Sequence, residues 1–219
     1  MSHVVVVIGG GSLSPRAIEA ANDGWYDEAL VIAADSGLDH AVEAGLRPGV
    51  LVGDLDSISA AGQMWAYANE VDIQQFPTDK DLTDTELALA VATERAGDGH
   101  VLLLGGLDDT DPRLDHLLGT LSALGNPALG DLLGVRAVLG GTECTVVHGG
   151  RTATLELEAG RTFSLLALHG RATGVTVSGA KWTLTGADLE PTEARGISNV
   201  ATGTVRVAVG SGVVTAVTP

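Results

Sequence analysis

Val50-Leu51-Val52-Gly53-Asp54-Leu55-Asp56-Ser57 decides the fold: three apolar residues, a glycine, then two carboxylates two positions apart. The apolar triplet reads as a strand, and the glycine permits close backbone approach. In extended backbone Asp54 and Asp56 share a face. At the C-terminal end of a strand in an open parallel sheet they point into the crevice where ligands bind. A capped turn accounts for the same residues without a ligand. Further along, Lys80-Asp81-Leu82-Thr83-Asp84-Thr85-Glu86 opens a helix-periodic stretch continued by Leu87, Leu89, Ala90, Val91 and Ala92. Asp81 and Asp84 would cap that helix and fill its first turn, at the positive end of its dipole. Lys80 beside them is a cation suited to phosphate. Glu86 fits solvated surface or a capping partner. Carboxylates gathered at strand ends repel one another unless a cation neutralises them. Hard oxygen ligands of this kind suit magnesium, which binds one or two carboxylates together with substrate phosphates. The pattern points to phosphoryl-group chemistry.

Outward from this stretch, Val4 to Ile8, Ala29 to Ala33, Ile73 to Phe76, Val101 to Leu104 and Val135 to Leu139 are short, continuous apolar runs. Such runs are expected of strands buried on both faces. Helix signals lie between most of them. Ser14-Pro15 reads as an N-cap with proline at the first helical position. Leu38 to Ala44 and Ala60 to Ala68 carry apolar residues at three- and four-residue spacing, and Leu114, Leu117, Leu118 and Leu121 form one face. Residues 1–142 are therefore expected to form an α/β nucleotide-binding domain with a mostly parallel sheet and helices on both faces. After Gly140-Gly141 the rhythm changes. Thr145 to His148, Thr152 to Leu157, Thr162 to Leu168, Gly174 to Ser178, Val205 to Val209 and Val213 to Val217 are rich in Val, Thr and Leu and mostly separated by glycine-bearing turns. Residues 143–219 are expected to form an all-β sandwich.

Composition narrows the function. A hydrophobic fraction of 45% with 18% charged residues is globular, and 3% aromatics leaves the core to Val, Leu, Ala and Ile. A net charge of −16 argues against nucleic-acid and anionic-membrane partners. A nucleotide would have to arrive with magnesium or meet locally placed Arg and Lys. The lone Cys144 excludes an intramolecular disulfide and a cysteine-based zinc site. With no leader before the first strand and no apolar run near the ~18 residues of a membrane span, a cytoplasmic location is expected.

Three further segments offer chemistry. Gly9-Gly10-Gly11-Ser12 lies between the first strand and first helix, where backbone N–H groups attract phosphate. It matches neither the dinucleotide fingerprint nor the P-loop. Asp35-Ser36-Gly37 ends the next strand, suited to a ribose, a base or only a turn. Gly105-Gly106-Leu107 is followed by Arg113-Leu114-Asp115-His116, in which Arg113 can clamp phosphate oxygens while Asp115 orients it or binds metal. His116 reads first as an ordinary helix residue.

In this order, Ala34-Asp35-Ser36-Gly37, Gly53-Asp54-Leu55-Asp56-Ser57, Lys80-Asp81-Leu82-Thr83-Asp84, Gly105-Gly106…Arg113-Leu114-Asp115-His116, Gly179-Ala180-Lys181-Trp182-Thr183-Leu184 and Gly196-Ile197-Ser198-Asn199 resemble the thiamine pyrophosphokinase (thiamine diphosphokinase) family. The resemblance implies an α/β catalytic domain, a β-sandwich domain, and a homodimer with thiamine sites between subunits. It implies transfer of diphosphate from ATP to the thiamine hydroxyl, giving thiamine diphosphate and AMP. By matching positions, Asp54, Asp56, Asp81 and Asp84 would hold Mg2+ and the reacting groups, with Arg113 and Asp115 in the same site. Gly10, Gly11, Ser12, Asp35, Ser36, Gly37, Lys80, Thr83 and Arg113 are the expected nucleotide contacts. Ser198 and Asn199 would line the thiamine pocket; Trp182 reads either as a substrate-binding aromatic there or as a core residue of the β domain. Three departures stand out. Acidic Asp108-Asp109-Thr110-Asp111-Pro112 replaces a Gly-rich turn, Val200-Ala201-Thr202 lacks an aromatic found after Ser-Asn in many members, and Asp35-Ser36-Gly37 replaces Asp-Gly-Gly. They keep two alternatives open: a diphosphokinase for another primary alcohol such as a hydroxymethylpterin, and a non-catalytic nucleotide- or thiamine-binding regulator.

Overall fold

The hydrophobic runs become strands in the order their periodicity dictates. A computed structural model describes residues 2–107 and 113–219. The chain forms two compact units, Met1–Ala123 with Ala137–Gly141, and Leu124–Arg136 with Thr142–Pro219.

The first unit alternates β1 (His3–Val7), α1 (Pro15–Ala21), β2 (Leu30–Ala34), α2 (Gly37–Glu43), β3 (Pro48–Gly53), α3 (Ala60–Ala68), β4 (Asp72–Gln75), α4 (Asp84–Ala96), β5 (His100–Leu104) and α5 (Leu114–Ala123), with β6 (Gly134–Leu139) beside β5. β1 pairs in parallel with both β2 and β5, and the sheet continues through β3 to β4. Val4 to Val7 are at most 1% exposed, as are Val101 to Leu104. At roughly 2 kcal/mol per buried branched side chain, these runs are the main drive for the unit. β4 departs from the expectation of strands buried on both faces. It is the edge strand, and Asp72 and Gln75 are exposed.

Caps fix where the helices begin. Ser14 Oγ accepts from Ala17 N–H at 3.1 Å ahead of Pro15. α4 opens on a capping box rather than on Asp81. Thr83 Oγ1 accepts from Glu86 N–H at 3.2 Å, and Glu86 Oε2 accepts from Thr83 N–H at 2.8 Å. Asp84 thereby becomes the first helical residue.

The second unit is antiparallel. Its strands are β7 (Thr142–His148), β8 (Thr152–Leu155), β9 (Thr162–Leu166), β10 (Ala172–Ala180), β11 (Leu184–Leu189), β12 (Asn199–Ala208) and β13 (Val213–Thr218). The order is β7–β13–β9–β12–β10–β11, with β8 on β12. Alternation supplies the core: Ala172, Val175, Val177 and Ala180 of β10 face inward with Val205 and Val207 of β12 and the fully buried Phe163. Among the described residues no helix is long and apolar enough to cross a membrane.

Candidate active site

Four strand ends build the site in the α/β unit. β1 runs into Gly9-Gly10-Gly11-Ser12 and β5 into Gly105-Gly106, and these loops meet where the strand order reverses between β1 and β5. Gly106 N–H donates to Gly9 O at 3.0 Å, and a Cβ on Gly10 would stand 3.1 Å from the Gly106 backbone. Open parallel sheets bind ligands in the crevice outside such a reversal. Ser12 donates its hydroxyl to Glu43 Oε2 at 3.1 Å.

One strand over, β2 delivers Asp35, β3 delivers Asp54 and the start of α4 delivers Asp84. One oxygen from each carboxylate lies within 4.8 Å of the others. Gly53 makes the approach possible. Its φ is 147°, and a Cβ there would stand 3.1 Å from Asp84 Oδ1 and 3.2 Å from Asp35 Cβ.

Asp35 is the strained member. It is 8% exposed and holds a φ of 46°, a conformation that costs an L-residue of order 1 kcal/mol or more. Ser57 donates its hydroxyl to Asp35 Oδ2. Asp35 Oδ1 is buried with no hydrogen-bond partner among the described residues. Burial, joined by the charges of Asp84, Asp54 and Asp56, pushes its carboxyl above the ordinary range despite the Ser57 bond.

Lys80 sets an ammonium between the other two, 3.5 Å from Asp54 Oδ2 and 3.1 Å from Asp84 Oδ1. Burial opposes the charge on Asp54, but the Asp56 N–H at 3.2 Å and Lys80 outweigh it and hold the carboxyl below its usual value. Burial likewise opposes the charge on Lys80, and the two carboxylates overcome it and raise the ammonium's pKa.

These residues fit a hard divalent cation. One oxygen of each carboxylate lies within 4.8 Å of the others, close enough for the three to hold one ion between them. When all are ionised, three carboxylates against one ammonium leave an excess of two negative charges, which a divalent ion would cancel. The unpartnered Asp35 Oδ1 is the atom such an ion would satisfy.

The other expected residues lie beside the cluster or apart from it, and Asp56 is near enough for its charge to act on Asp35. Asp56 and Asp81 are exposed and outside the three-carboxylate cluster. Thr83 is occupied as the helix cap, and Ser36 and Gly37 begin α2. Arg113, exposed at the start of α5, makes a two-pronged bond to Asp115 (3.1 and 2.8 Å) and lies 2.7 Å from His116 Nε2. The Arg113 hydrogen bonds hold the Asp115 carboxyl down to about 2. Asp108 to Pro112, the acidic stretch in place of a Gly-rich turn, lie outside the described residues. Asp35 as a third carboxylate was not anticipated. The signal was register: Ala34 pairs with Val52, so the next residues, Asp35 and Gly53, emerge side by side, with Asp35 N–H donating to Val52 O at 2.9 Å.

In the β unit, Trp182 is 53% exposed, with the Lys181 ammonium 4.6 Å from its ring centroid. Ser198 is exposed with a φ of 60°, and its N–H donates to Ser164 Oγ at 3.1 Å. Asn199 is buried, and its carboxamide bonds the backbone of Trp182.

Comparison with known proteins identifies the family. Residues 21–130, half of the chain, match the model of the thiamin pyrophosphokinase catalytic domain, and residues 152–214 match that of the family's vitamin B1 binding domain. The thiamine pyrophosphokinase of Bacillus subtilis (strain 168) is 30% identical over 125 residues, covering 57% of this chain and 55% of that relative, so the alignment spans just over half its length. A crystal structure of thiamine pyrophosphokinase from Bacillus subtilis superposes with a TM-score of 0.80 at 23% identity, covering 99% of this chain and 98% of that one. The thiamin pyrophosphokinase structure from Geobacillus thermodenitrificans gives 0.76 at 25% identity, covering 99% and 96%. With half of its length matched by the catalytic-domain model and a separate stretch by the B1-binding model, this chain belongs to the thiamin pyrophosphokinase family.

Proposed function

We propose that this chain transfers the diphosphate of ATP to the hydroxyl of thiamine, releasing AMP, and that Asp35, Asp54 and Asp84 hold the magnesium ion that brings the phosphates in. The observation that carries the reading is the three-carboxylate cluster at the ends of β2, β3 and the start of α4, inside the segment matching the family's catalytic domain. In such transfers, positioning and neutralisation of charge supply most of the rate. Held by Asp35, Asp54 and Asp84, a magnesium ion would supply positive charge against the negative charge that grows as AMP leaves. Lys80 adds a positive charge at the same place, steadied by Asp54 and Asp84. The glycine loops after β1 and β5 let a nucleotide approach the backbone closely without side chains in the way. Arg113, oriented by Asp115, supplies a second phosphate clamp.

Thiamine binding is assigned to the β unit, whose residues 152–214 match the B1-binding model and include Trp182, Ser198 and Asn199. Homodimerisation and a cytoplasmic location complete the reading. The buried, unpaired Cys144 and the acidic composition support that location.

The test is product analysis of the purified chain with ATP, thiamine and Mg2+. The reading predicts thiamine diphosphate and AMP in equal amounts. ADP as the nucleotide product, or turnover with a hydroxymethylpterin and none with thiamine, overturns it.

A further inference from the structure

The β10–β12 ladder ends in an unusual way. Backbone pairing runs from Thr176 opposite Ala208 to Ser178 opposite Arg206, shifts register, and resumes with Ala180 opposite Ala201, and Lys181 N–H then donates to Val200 O at 2.8 Å. At the next position the partner is a side chain. Asn199 Oδ1 accepts from Trp182 N–H at 3.1 Å, and Asn199 Nδ2 donates to Trp182 O at 2.8 Å. The same Oδ1 accepts from Val200 N–H at 2.8 Å. A carboxamide is chemically a peptide group. Here it stands in for one, extending the ladder until it grips the backbone of Trp182.

That leaves Asn199 little to offer a ligand. It is 6% exposed, and both carboxamide atoms are engaged. The residue it grips is the reverse case. Trp182 is 53% exposed, with a single ammonium, that of Lys181, set over its ring. In a chain with 3% aromatics, an indole left in water on a backbone pinned at both its N–H and C=O is a flat surface anchored at a fixed place. Such a surface suits stacking on a planar heteroaromatic ring.

We propose that Asn199 is a positioning residue that acts through Trp182, holding its indole as the stacking surface for the aromatic acceptor. The proposal rests on the reading of this unit as the thiamine-binding part. Only asparagine fits the role. Aspartate keeps the acceptor but sets a carboxylate oxygen against Trp182 O, and alanine leaves both Trp182 backbone groups without this partner.

The experiment combines kinetics with fluorescence. Asn199→Asp and Asn199→Ala are each expected to raise the thiamine KM about tenfold, the loss of one stacking contact, with kcat and the ATP KM within about twofold. Trp182→Ala should do the same. Adding Asn199→Ala to Trp182→Ala should raise the KM no further, because the two residues act as one. Additive effects, or an unchanged thiamine KM in Asn199→Asp, overturn the proposal. The chain has three tryptophans. In a Trp25→Phe/Trp65→Phe background, emission anisotropy reports Trp182 alone and needs no turnover. Asn199→Asp is expected to lower it, and equal anisotropy counts against the clamp. A wild-type chain that forms no thiamine diphosphate sinks the functional reading and the acceptor assignment with it, while the anisotropy still decides whether Asn199 holds the ring.

Discussion

Replacing Gly53 with alanine perturbs the site through its backbone and touches no charge. The φ of 147° is open to glycine and closed to an L-residue, at a cost of about 1–3 kcal/mol. The new methyl would also stand 3.1 Å from Asp84 Oδ1 and 3.2 Å from Asp35 Cβ, so both side chains must give by a few tenths of an ångström. Crowding added to strain brings the expected loss to roughly 2–3 kcal/mol, which for a chain of this size lowers Tm by roughly 4–12 °C. The carboxylates would separate as they yield, so affinity for MgATP should fall about tenfold or more. Thermal melting followed by circular dichroism and calorimetric titration with Mg2+ and a non-hydrolysable ATP analogue read the two effects. Gly203→Ala is the control, because Gly203 has a φ of 143° with nothing within 4 Å of a Cβ. It should lose stability through strain alone and keep MgATP affinity. A Gly53→Ala protein within about 1 °C of wild type and with normal MgATP affinity would refute the reasoning.

Thr83→Ala removes the capping box that starts α4 and should cost about 1 kcal/mol, read as a shift in the urea midpoint, whereas Glu94→Ala on the exposed side of the same helix should shift it little. His148 gives a pH signature. Burial lowers its pKa below 6.5, so its stability contribution is complete above about pH 6.5 and is lost as pH falls through the lower folded value. Between pH 7.5 and 5.5 wild type should therefore lose more stability than His148→Gln, and equal losses would contradict the sign.

What the sequence makes legible follows from burial. Val4 to Ile8 and Val101 to Leu104 are continuous apolar runs because both faces of β1 and β5 are covered, so the α/β half can be read from them. β11 escapes the same reading. Leu184-Thr185-Gly186-Ala187-Asp188-Leu189 resembles a turn, and it becomes a strand by pairing with β10 at the sheet edge. The first half of β12 is hidden in the same way, since Asn199 to Thr204 reads as a motif and a glycine-bearing turn. Within the site, Asp54 and Asp84 stand out because each lies at an element boundary marked by glycine or a cap. The place of Asp35 depends on the β2–β3 register, which no local pattern encodes. Asp81 illustrates the opposite limit: its spacing suits a helix cap, but Thr83 takes that position because Glu86 completes a box with it.

Titration with Mn2+, a paramagnetic stand-in for Mg2+, measured by electron paramagnetic resonance on wild type, Asp35→Asn and Asp81→Asn, tests the convergence of Asp35, Asp54 and Asp84 on one divalent ion most directly. Asp35→Asn should weaken binding tenfold or more, and the exposed Asp81→Asn should stay within about twofold of wild type. Unchanged affinity in Asp35→Asn would contradict the account.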